Sequence, residues 1–265
     1  MIKYWPFMGV VAICSSALAQ NTCSNIGGQQ SFSPLSIRNG TVCFVQKPVV
    51  DYKNRVLIGV DVIFLYYISG GNAPVKVEGR GLLYDDTPGK IIDAFSADVG
   101  VDHREKIFVI HSMEVRESLV EKNSSGIFYS VSVFDSAGGT LHRDDRSSDW
   151  FGADYSWISD GMRVIYKFPY QSREDVQRAI NSPFALLMRA DESIQVRVKG
   201  KSYLFDGPNV KEKTRKYLIK GDRATVDKVT AGWCQINHAG GTKPLDMWLM
   251  CNELDAGVQA KKIDQ

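Results

Sequence analysis

The sequence predicts a mainly β chain of the α+β class, in which an antiparallel β-rich domain over residues 20–198 precedes a small β-barrel over residues 199–255. Short runs rich in Val, Ile, Phe and Tyr alternate with turn residues through most of the chain, which is the strand signal. Only residues 173–181 stand out as helical in period. The 265 residues, 44% hydrophobic and 23% charged, have an ordinary globular composition.

The charge balance argues against polyanionic partners. The chain has 32 Lys and Arg residues against 30 Asp and Glu residues, a formal net charge of +2, and no block of like charge. Nucleic-acid-binding proteins concentrate positive charge in a patch or stripe. We therefore expect neither nucleic acid nor an anionic membrane surface as the partner.

Residues 1–19 are expected to be a secretory signal peptide. Lys3 precedes an apolar run over residues 4–14, and the segment ends in Ala17-Leu18-Ala19, a small-x-small cleavage pattern. The run is shorter than the roughly 20 apolar residues that a transmembrane helix needs. Cleavage after Ala19 predicts a periplasmic or secreted mature chain without a membrane span.

The cysteines predict disulfide bonds. Removal of the leader takes Cys14 with it and leaves four cysteines, an even number in an oxidising compartment. Four cysteines allow three pairings, and the sequence alone does not choose among them. We expect Cys23–Cys43 and Cys234–Cys251, because each of these pairs lies at one end of the chain. No two cysteines have zinc-site spacing, so no metal is predicted.

The β-rich domain is divided into short strands by turns such as Gly70-Gly71-Asn72. The expected strands are 41–46, 56–68, 75–83, 106–115, 127–134, 163–168 and 193–199. In the strand at 127–134 every second residue is apolar and the other face is mixed, as a half-buried antiparallel strand requires. The sequence indicates no family for residues 20–198.

A helix is predicted over residues 173–181 of this domain. Ser172 and Asp175 have nearly the spacing and chemistry of a capping box. Its apolar face consists of Val176, Ala179 and Ile180. Pro183 limits the helix, and a second short helical turn is expected directly after it.

From residue 201 the chain is predicted to form a small barrel. Its five short strands fall at 202–205, 216–219, 224–229, 233–237 and 247–251. A Lys220-Gly221-Asp222 turn leads into a Val-rich strand, Gly232-Trp233 opens the next strand, and Trp248-Leu249 precedes a closing Leu254. This order resembles the bacterial SH3-type (SH3b-like) domain over residues 199–255, about a fifth of the chain. The cysteine pair departs from the commoner pattern of that family.

The resemblance implies a ligand-binding module that attaches to cell-wall peptides or to another polypeptide, and it implies a bacterial host. SH3-like surfaces hold extended peptides in aromatic-lined grooves. The candidate ligand-binding residues are therefore Tyr203, Tyr217, Trp233 and Trp248. We expect at least two of the four to be core residues. Residues 256–265 are expected to be a flexible tail.

Motifs for catalysis are missing from the sequence. It contains no Gly-x-Ser-x-Gly, no phosphate-binding loop and no His-Glu-x-x-His. His111 ends an expected strand and is expected to be a structural residue. His103 and His142 fall in polar loops and are expected to be exposed. No catalytic residue and no cofactor is predicted.

Residues 142–154 are the most unusual stretch before the barrel. Four carboxylates within eleven residues suggest calcium, but their spacing misses the calcium-loop pattern, and Arg143 and Arg146 would neutralise the site. A solvated loop is therefore expected. An interface is a further interpretation, because rigid aromatics beside charges are enriched there. Its candidate residues are Trp150, Phe151, Tyr155 and Trp157.

Three functions stay open on the sequence alone. The leading hypothesis is a secreted or periplasmic, non-catalytic protein whose barrel binds a polypeptide or a peptidoglycan peptide. A close variant is an immunity or inhibitor protein that blocks a toxin or hydrolase acting in the periplasm, with residues 150–157 inserted into its target. The alternative from another class is a cell-wall hydrolase whose catalytic domain the sequence does not reveal.

Overall fold

The computed structural model describes residues 23–50, 53, 56–99, 104–137, 139–190, 192–238 and 245–257. Strands dominate these residues and a few short helices accompany them, so the predicted mainly β, α+β fold is confirmed. The predicted leader, its cleavage site, His103 and nearly all of the predicted tail lie outside the described residues. Within those ranges, no helix has both the length and the apolar character that crossing a membrane requires.

The first sheet is antiparallel, with the order β1-β2-β3-β4. Its strands are β1 (Gln29–Ile37), β2 (Gly40–Val50), β3 (Leu57–Ser69) and β4 (Val75–Lys76). The predicted strand at 75–83 is thus only two residues long. Period-2 apolar residues give the sheet one inward face, formed by Val42, Phe44, Ile63, Leu65 and Tyr67.

The second sheet packs against that face. Its strands are β5 (Lys90–Val99), β6 (Arg104–Glu114), β7 (Ile127–Ala137), β8 (Thr140–Arg143) and β9 (Ala153–Tyr155). In β6, Ile107 and Val109 join the core against the first sheet, whereas Phe108 and Ile110 join a larger core on the opposite face. A strand that is apolar on both faces must be covered on both. The second sheet is therefore the middle layer of the molecule.

The third sheet is C-terminal and antiparallel, with the order β14-β13-β17-β16-β15-β12-β18. Its strands are β12 (Ile194–Val198), β13 (Ser202–Phe205), β14 (Lys213–Leu218), β15 (Arg223–Thr230), β16 (Trp233–His238), β17 (Leu245–Met250) and β18 (Leu254–Asp255). Each of the five strands predicted after residue 201 is present. Because β12 pairs with β15 and β18, this sheet also includes Ile194–Val198, which precede the predicted barrel.

Helices and a hairpin connect the second and third sheets. They are α1 (Asp145–Phe151), the hairpin of β10 (Trp157–Ser159) and β11 (Val164–Lys167), α2 (Arg173–Ile180) and α3 (Leu186–Arg189). The predicted helix is confirmed as α2, and the Ser172 hydroxyl accepts the Asp175 N–H at 3.2 Å. The second helical turn is α3.

Both predicted disulfide bonds are present. Cys23 and Cys43 have Cα atoms 5.7 Å apart, and those of Cys234 and Cys251 are 5.1 Å apart, both within the usual range. The first bond ties the N-terminal segment to the outer face of the first sheet. The second ties β16 to the 3₁₀ turn Cys251–Glu253.

One hydrophobic core runs through both predicted domains. It begins at Phe95 in β5, includes the buried residues of α1, α2 and α3, and continues to Leu254 in β18. The second sheet and the C-terminal sheet are thus packed as one body with the helices between them.

Candidate functional site

The segment expected as a charged loop is largely helix α1. The Asp144 side chain caps it by accepting the Ser147 N–H at 2.9 Å. Gly152, with φ of 63°, ends it. The loop prediction was wrong because an aspartate cap and buried residues in the last turn favour a helix.

Three of the four carboxylates of this segment are held in ion pairs, and Asp154 is the exception among the described pairs. Asp144 pairs with Lys106, and Arg80 contacts Asp145 at 3.3 Å and Asp149 at 2.9 Å. Opposite charges already neutralise these carboxylates, so they form a structural network linking α1 to the two N-terminal sheets. Within the part of the chain that the structure describes, no cluster of three metal-ligating side chains is found.

Trp150 and Phe151 are core residues of α1. Both are buried, and Tyr170 stacks on Trp150 with ring centroids 5.7 Å apart. The Phe151 carbonyl accepts the Ala231 N–H at 3.1 Å, at the turn that opens β16. The interface that these two aromatics form therefore lies inside the chain, between α1 and the C-terminal sheet.

Tyr155 and Trp157, the other two predicted interface residues, have different surroundings. The Tyr155 hydroxyl accepts the Glu121 N–H at 3.0 Å, and its ring lies edge-on to Phe128. Trp157 starts β10 and is 39% exposed. Of the four predicted residues, Trp157 presents the most usable surface to a partner.

Trp233 is enclosed by the chain itself. Its ring is fully buried, stacked on Tyr166 with centroids 5.9 Å apart and edge-on to Phe205 at 4.9 Å. The Tyr166 hydroxyl donates to the Ala231 carbonyl at 2.8 Å, and this bond holds the Tyr166 ring over Trp233. Trp248 is half-buried against the same core. Of the four predicted aromatics, Trp233 is therefore a core residue, whereas Trp248 is partly exposed and packs against that core.

Tyr203 and Tyr217 are the candidate residues that reach the surface. They are direct cross-strand partners on β13 and β14, with ring centroids 6.1 Å apart, and are 39% and 50% exposed. Lys201 Nζ lies 4.3 Å from the Tyr217 ring centroid, and Lys213 Nζ lies 4.0 Å from that of Tyr203. Strand alternation places Arg215 on the same face. We call these five residues the tyrosine patch.

The tyrosine patch has a local excess of positive charge that the whole-chain balance hides. Residues 199–223 contain eight Lys and Arg residues against three Asp and Glu residues. Among the described residues, none of the three patch cations pairs with a carboxylate. The tyrosine faces hold the ammonium groups by cation–π attraction instead. The patch can therefore bind a ligand that brings carboxylates and flat or apolar groups.

Two titratable groups whose pKa values are displaced mainly by burial, His111 and Asp154, lie on β6 and β9, outside the tyrosine patch. His111 is buried, which lowers its pKa, and its Nε2 contacts the Pro88 carbonyl at 3.0 Å. Burial also raises the pKa of Asp154 to about 6, although the Tyr155 N–H favours the ionised carboxylate. Neither group lines an open cleft with a nucleophile. The displaced pKa values of these two groups bear on stability.

No family model matches the chain, and neither the curated proteins nor the solved structures that were searched contain a match. The function therefore has to be inferred from the surfaces of the molecule.

Sequence reasoning missed two features of these surfaces. The enclosure of Trp233 depends on Tyr166, 67 positions earlier, and no local pattern marks that contact. An apolar trough on the outer face of the first sheet was also missed. Its signal is present in β3, where residues 62–68 are apolar or aromatic at every position, so that both faces of the strand are apolar.

Proposed function

We propose that the protein is an exported, non-catalytic binding protein whose C-terminal SH3-type module holds an extended, carboxylate-bearing peptide on the tyrosine patch. The peptide belongs to the cell wall or to another polypeptide. The predicted leader and the two disulfide bonds support export to an oxidising compartment. The succession of short antiparallel strands over residues 194–255 supports the SH3-type assignment.

The observation that carries the proposal is the exposure of Tyr203 and Tyr217 beside unpaired cations. A tyrosine ring presents a rigid amphipathic face at low entropic cost, and for that reason tyrosine is enriched in binding surfaces. Arg215, Lys201 and Lys213 add the positive charge that attracts carboxylates. Wall peptides and acidic polypeptide segments both offer carboxylates on an extended backbone.

The position of β14 supports an extended ligand. In the described sheet β14 is an edge strand and pairs only with β13. Edge strands accept an additional strand from a peptide through main-chain hydrogen bonds. Lys213 and Arg215 on this edge disfavour pairing between two copies of the chain and favour an anionic peptide.

The test is retention of the purified protein on insoluble peptidoglycan and, separately, a pull-down of exported polypeptides. The double variant Tyr203→Ala/Tyr217→Ala is expected to weaken retention at least about tenfold, the effect of losing one binding hot spot. Lys201→Glu is also expected to weaken retention. Its effect should be larger at low salt than at high salt, because salt screens exposed charges. Tyr84→Ala removes a half-exposed tyrosine from the segment that follows β4, outside the tyrosine patch, and is the matched control.

Two outcomes contradict the proposal. One is that neither peptidoglycan nor a polypeptide is retained by the intact protein. The other is retention that the tyrosine patch variants leave unchanged. Loss of turbidity when the protein is added to isolated cell walls would instead favour the cell-wall hydrolase.

The inhibitor or immunity function is favoured by one specific observation, the β10–β11 hairpin. Met162 at its tip is 95% exposed, and Trp157 and Val164 on its strands are also exposed. The tip also carries the Asp160–Arg163 ion pair, and exposed apolar residues beside charges on a protruding hairpin suit insertion into a toxin or hydrolase cleft. In the same pull-down, loss of the partner with Trp157→Ala but not with the tyrosine patch variants would identify this function.

A further inference from the structure

An apolar trough lies on the outer face of the first sheet, far along the chain from the tyrosine patch. Its floor is formed by Val62, Phe64 and Tyr66 of β3, and its walls by residues 47–50 and 81–84. The enclosed volume is about 840 Å³. Small-molecule sites in proteins typically occupy roughly 300–1,000 Å³ and are mostly apolar.

Packing of the sheets does not account for the apolar floor. Ile63, Leu65 and Tyr67 already supply the face of β3 that meets the second sheet. An antiparallel sheet covered on one side normally presents polar residues on the other. The N-terminal segment at Cys23 and Ile26 covers the part of this outer face around Cys43 and Val45. Val62 and Phe64 line the trough instead and belong to none of the described hydrophobic clusters.

The trough has a cationic end. Lys47 Nζ lies 2.9 Å from the Tyr66 hydroxyl, and Lys76 Nζ lies 3.9 Å from the centroid of the Phe64 ring. Among the described residues that line the trough there is no Asp or Glu, and neither lysine pairs with a described carboxylate. Arg80 also lines it but is held by Asp145 and Asp149. Two ammonium groups are thus available to an anion.

The opposite end is apolar. Val50 and Leu57 are cross-strand partners at the far end of β2 and β3, and both are exposed, as is Val56. Tyr84 on the facing wall is half-exposed. Exposed apolar side chains that continue a groove mark a ligand or interaction surface. The trough therefore has a charged end and an apolar end along the direction of β3.

We infer that the trough binds a single-chain anionic amphiphile, a molecule with a carboxylate or phosphate at one end and an unbranched apolar chain. The anion lies between Lys47 and Lys76, and the chain runs over Val62 toward Val50 and Leu57. This site is independent of the peptide-binding function proposed above.

The test uses dodecanoate below its micelle concentration, titrated into the full-length mature protein by calorimetry. Dodecanoate is expected to bind at least tenfold more tightly than dodecyltrimethylammonium or dodecyl maltoside, which share its chain but not its charge. Lys76→Glu reverses an exposed charge and is expected to weaken dodecanoate binding at least tenfold. Lys47→Met keeps the length of the stem, removes the charge and is expected to act in the same direction. Lys201→Glu, in the tyrosine patch, is the matched control and should leave binding within twofold.

Three outcomes would overturn the inference: no dodecanoate binding, equal binding of the cationic chain, or binding that both lysine variants leave unchanged. Flotation with anionic phospholipid vesicles tests whether the protein binds a bilayer surface, as distinct from a free amphiphile. Vesicle binding without dodecanoate binding also contradicts the inference. Because Lys201→Glu tests the tyrosine patch in the peptide assay, failure of one site is distinguishable from failure of the other.

Discussion

Asp154 is a carboxyl group that the fold buries between β7 and the β10–β11 hairpin. Burial raises its pKa from the ordinary 3.8 to about 6. The folded protein therefore binds this proton more tightly than the unfolded chain does. Stability from this group is fully present below pH 3.8 and is lost as the pH rises through about 6, because ionisation then places a charge where solvent reaches it only in part.

The variant Asp154→Asn should isolate this effect. It keeps an oxygen acceptor for the Tyr155 N–H and cannot ionise. At pH 7.5 we expect it to be more stable than the parent by about 2–3 kcal/mol, since one pKa unit corresponds to about 1.4 kcal/mol. Near pH 4 the difference should nearly vanish. The measurement is urea denaturation at both pH values.

His111 does not confound that comparison. Burial lowers its pKa, so its contribution is lost as the pH falls below its ordinary value of 6.5, the opposite direction to Asp154. Both proteins carry His111, and its contribution cancels in their difference. An Asn-for-Asp stability difference that is the same at pH 4 and pH 7.5 would contradict the assignment to Asp154.

Among the elements, α1 depends on Asp144 in two ways. This residue caps the helix at Ser147 and pairs with the half-buried Lys106. Asp144→Asn keeps a good cap and loses the ion pair, whereas Asp144→Ala loses both. We expect the alanine variant to be less stable than the asparagine variant by about 1 kcal/mol, the usual contribution of an N-cap, in urea denaturation at pH 7. Equal stability would show that the cap is not needed for α1.

The contrast between helices shows what local sequence predicts. Helix α2 was predicted because its cap, its apolar face and its end all lie within residues 172–183. Helix α1 was missed because Trp150 and Phe151 point into a core built from β6, Tyr170 and the C-terminal sheet. Its amphipathic pattern becomes visible only with those distant partners.

Strand β5 was missed for a different reason. A register shift between Ile91 and Asp93 interrupts the apolar alternation, so Ile91 and Phe95 end in different cores. The tyrosine patch was half predictable: the sequence supplied Tyr203 and Tyr217. It could not show that folding exposes them while it buries Trp233, because burial is decided by the hairpin that covers that ring.

At the scale of the whole molecule, two predicted domains share one core, and that arrangement predicts a single unfolding transition. The chain from Cys23 to Asp149 contains no tryptophan. In protein prepared without residues 1–19, tryptophan fluorescence therefore reports on residues 150–248, whereas far-UV circular dichroism reports on all sheets. We expect the two probes to give coincident urea transitions, because unfolding either half would expose the core that both bury.

Gly232 is the residue to change in order to loosen the C-terminal sheet from the segment that covers Trp233. Gly232 has φ of 80°, and a Cβ there would lie 2.6 Å from Pro169 Cγ. Gly232→Ala therefore adds two costs, backbone strain and a clash between the turn before β16 and the segment that covers Trp233. Gly221 has φ of 92° and open space around its Cβ position, so Gly221→Ala carries the strain alone. We expect Gly232→Ala to lose more stability than Gly221→Ala and to make the two transitions diverge, with fluorescence changing first. Equal losses with coincident transitions would mean that the contact of Gly232 with Pro169 does not hold the C-terminal sheet to the segment that covers Trp233.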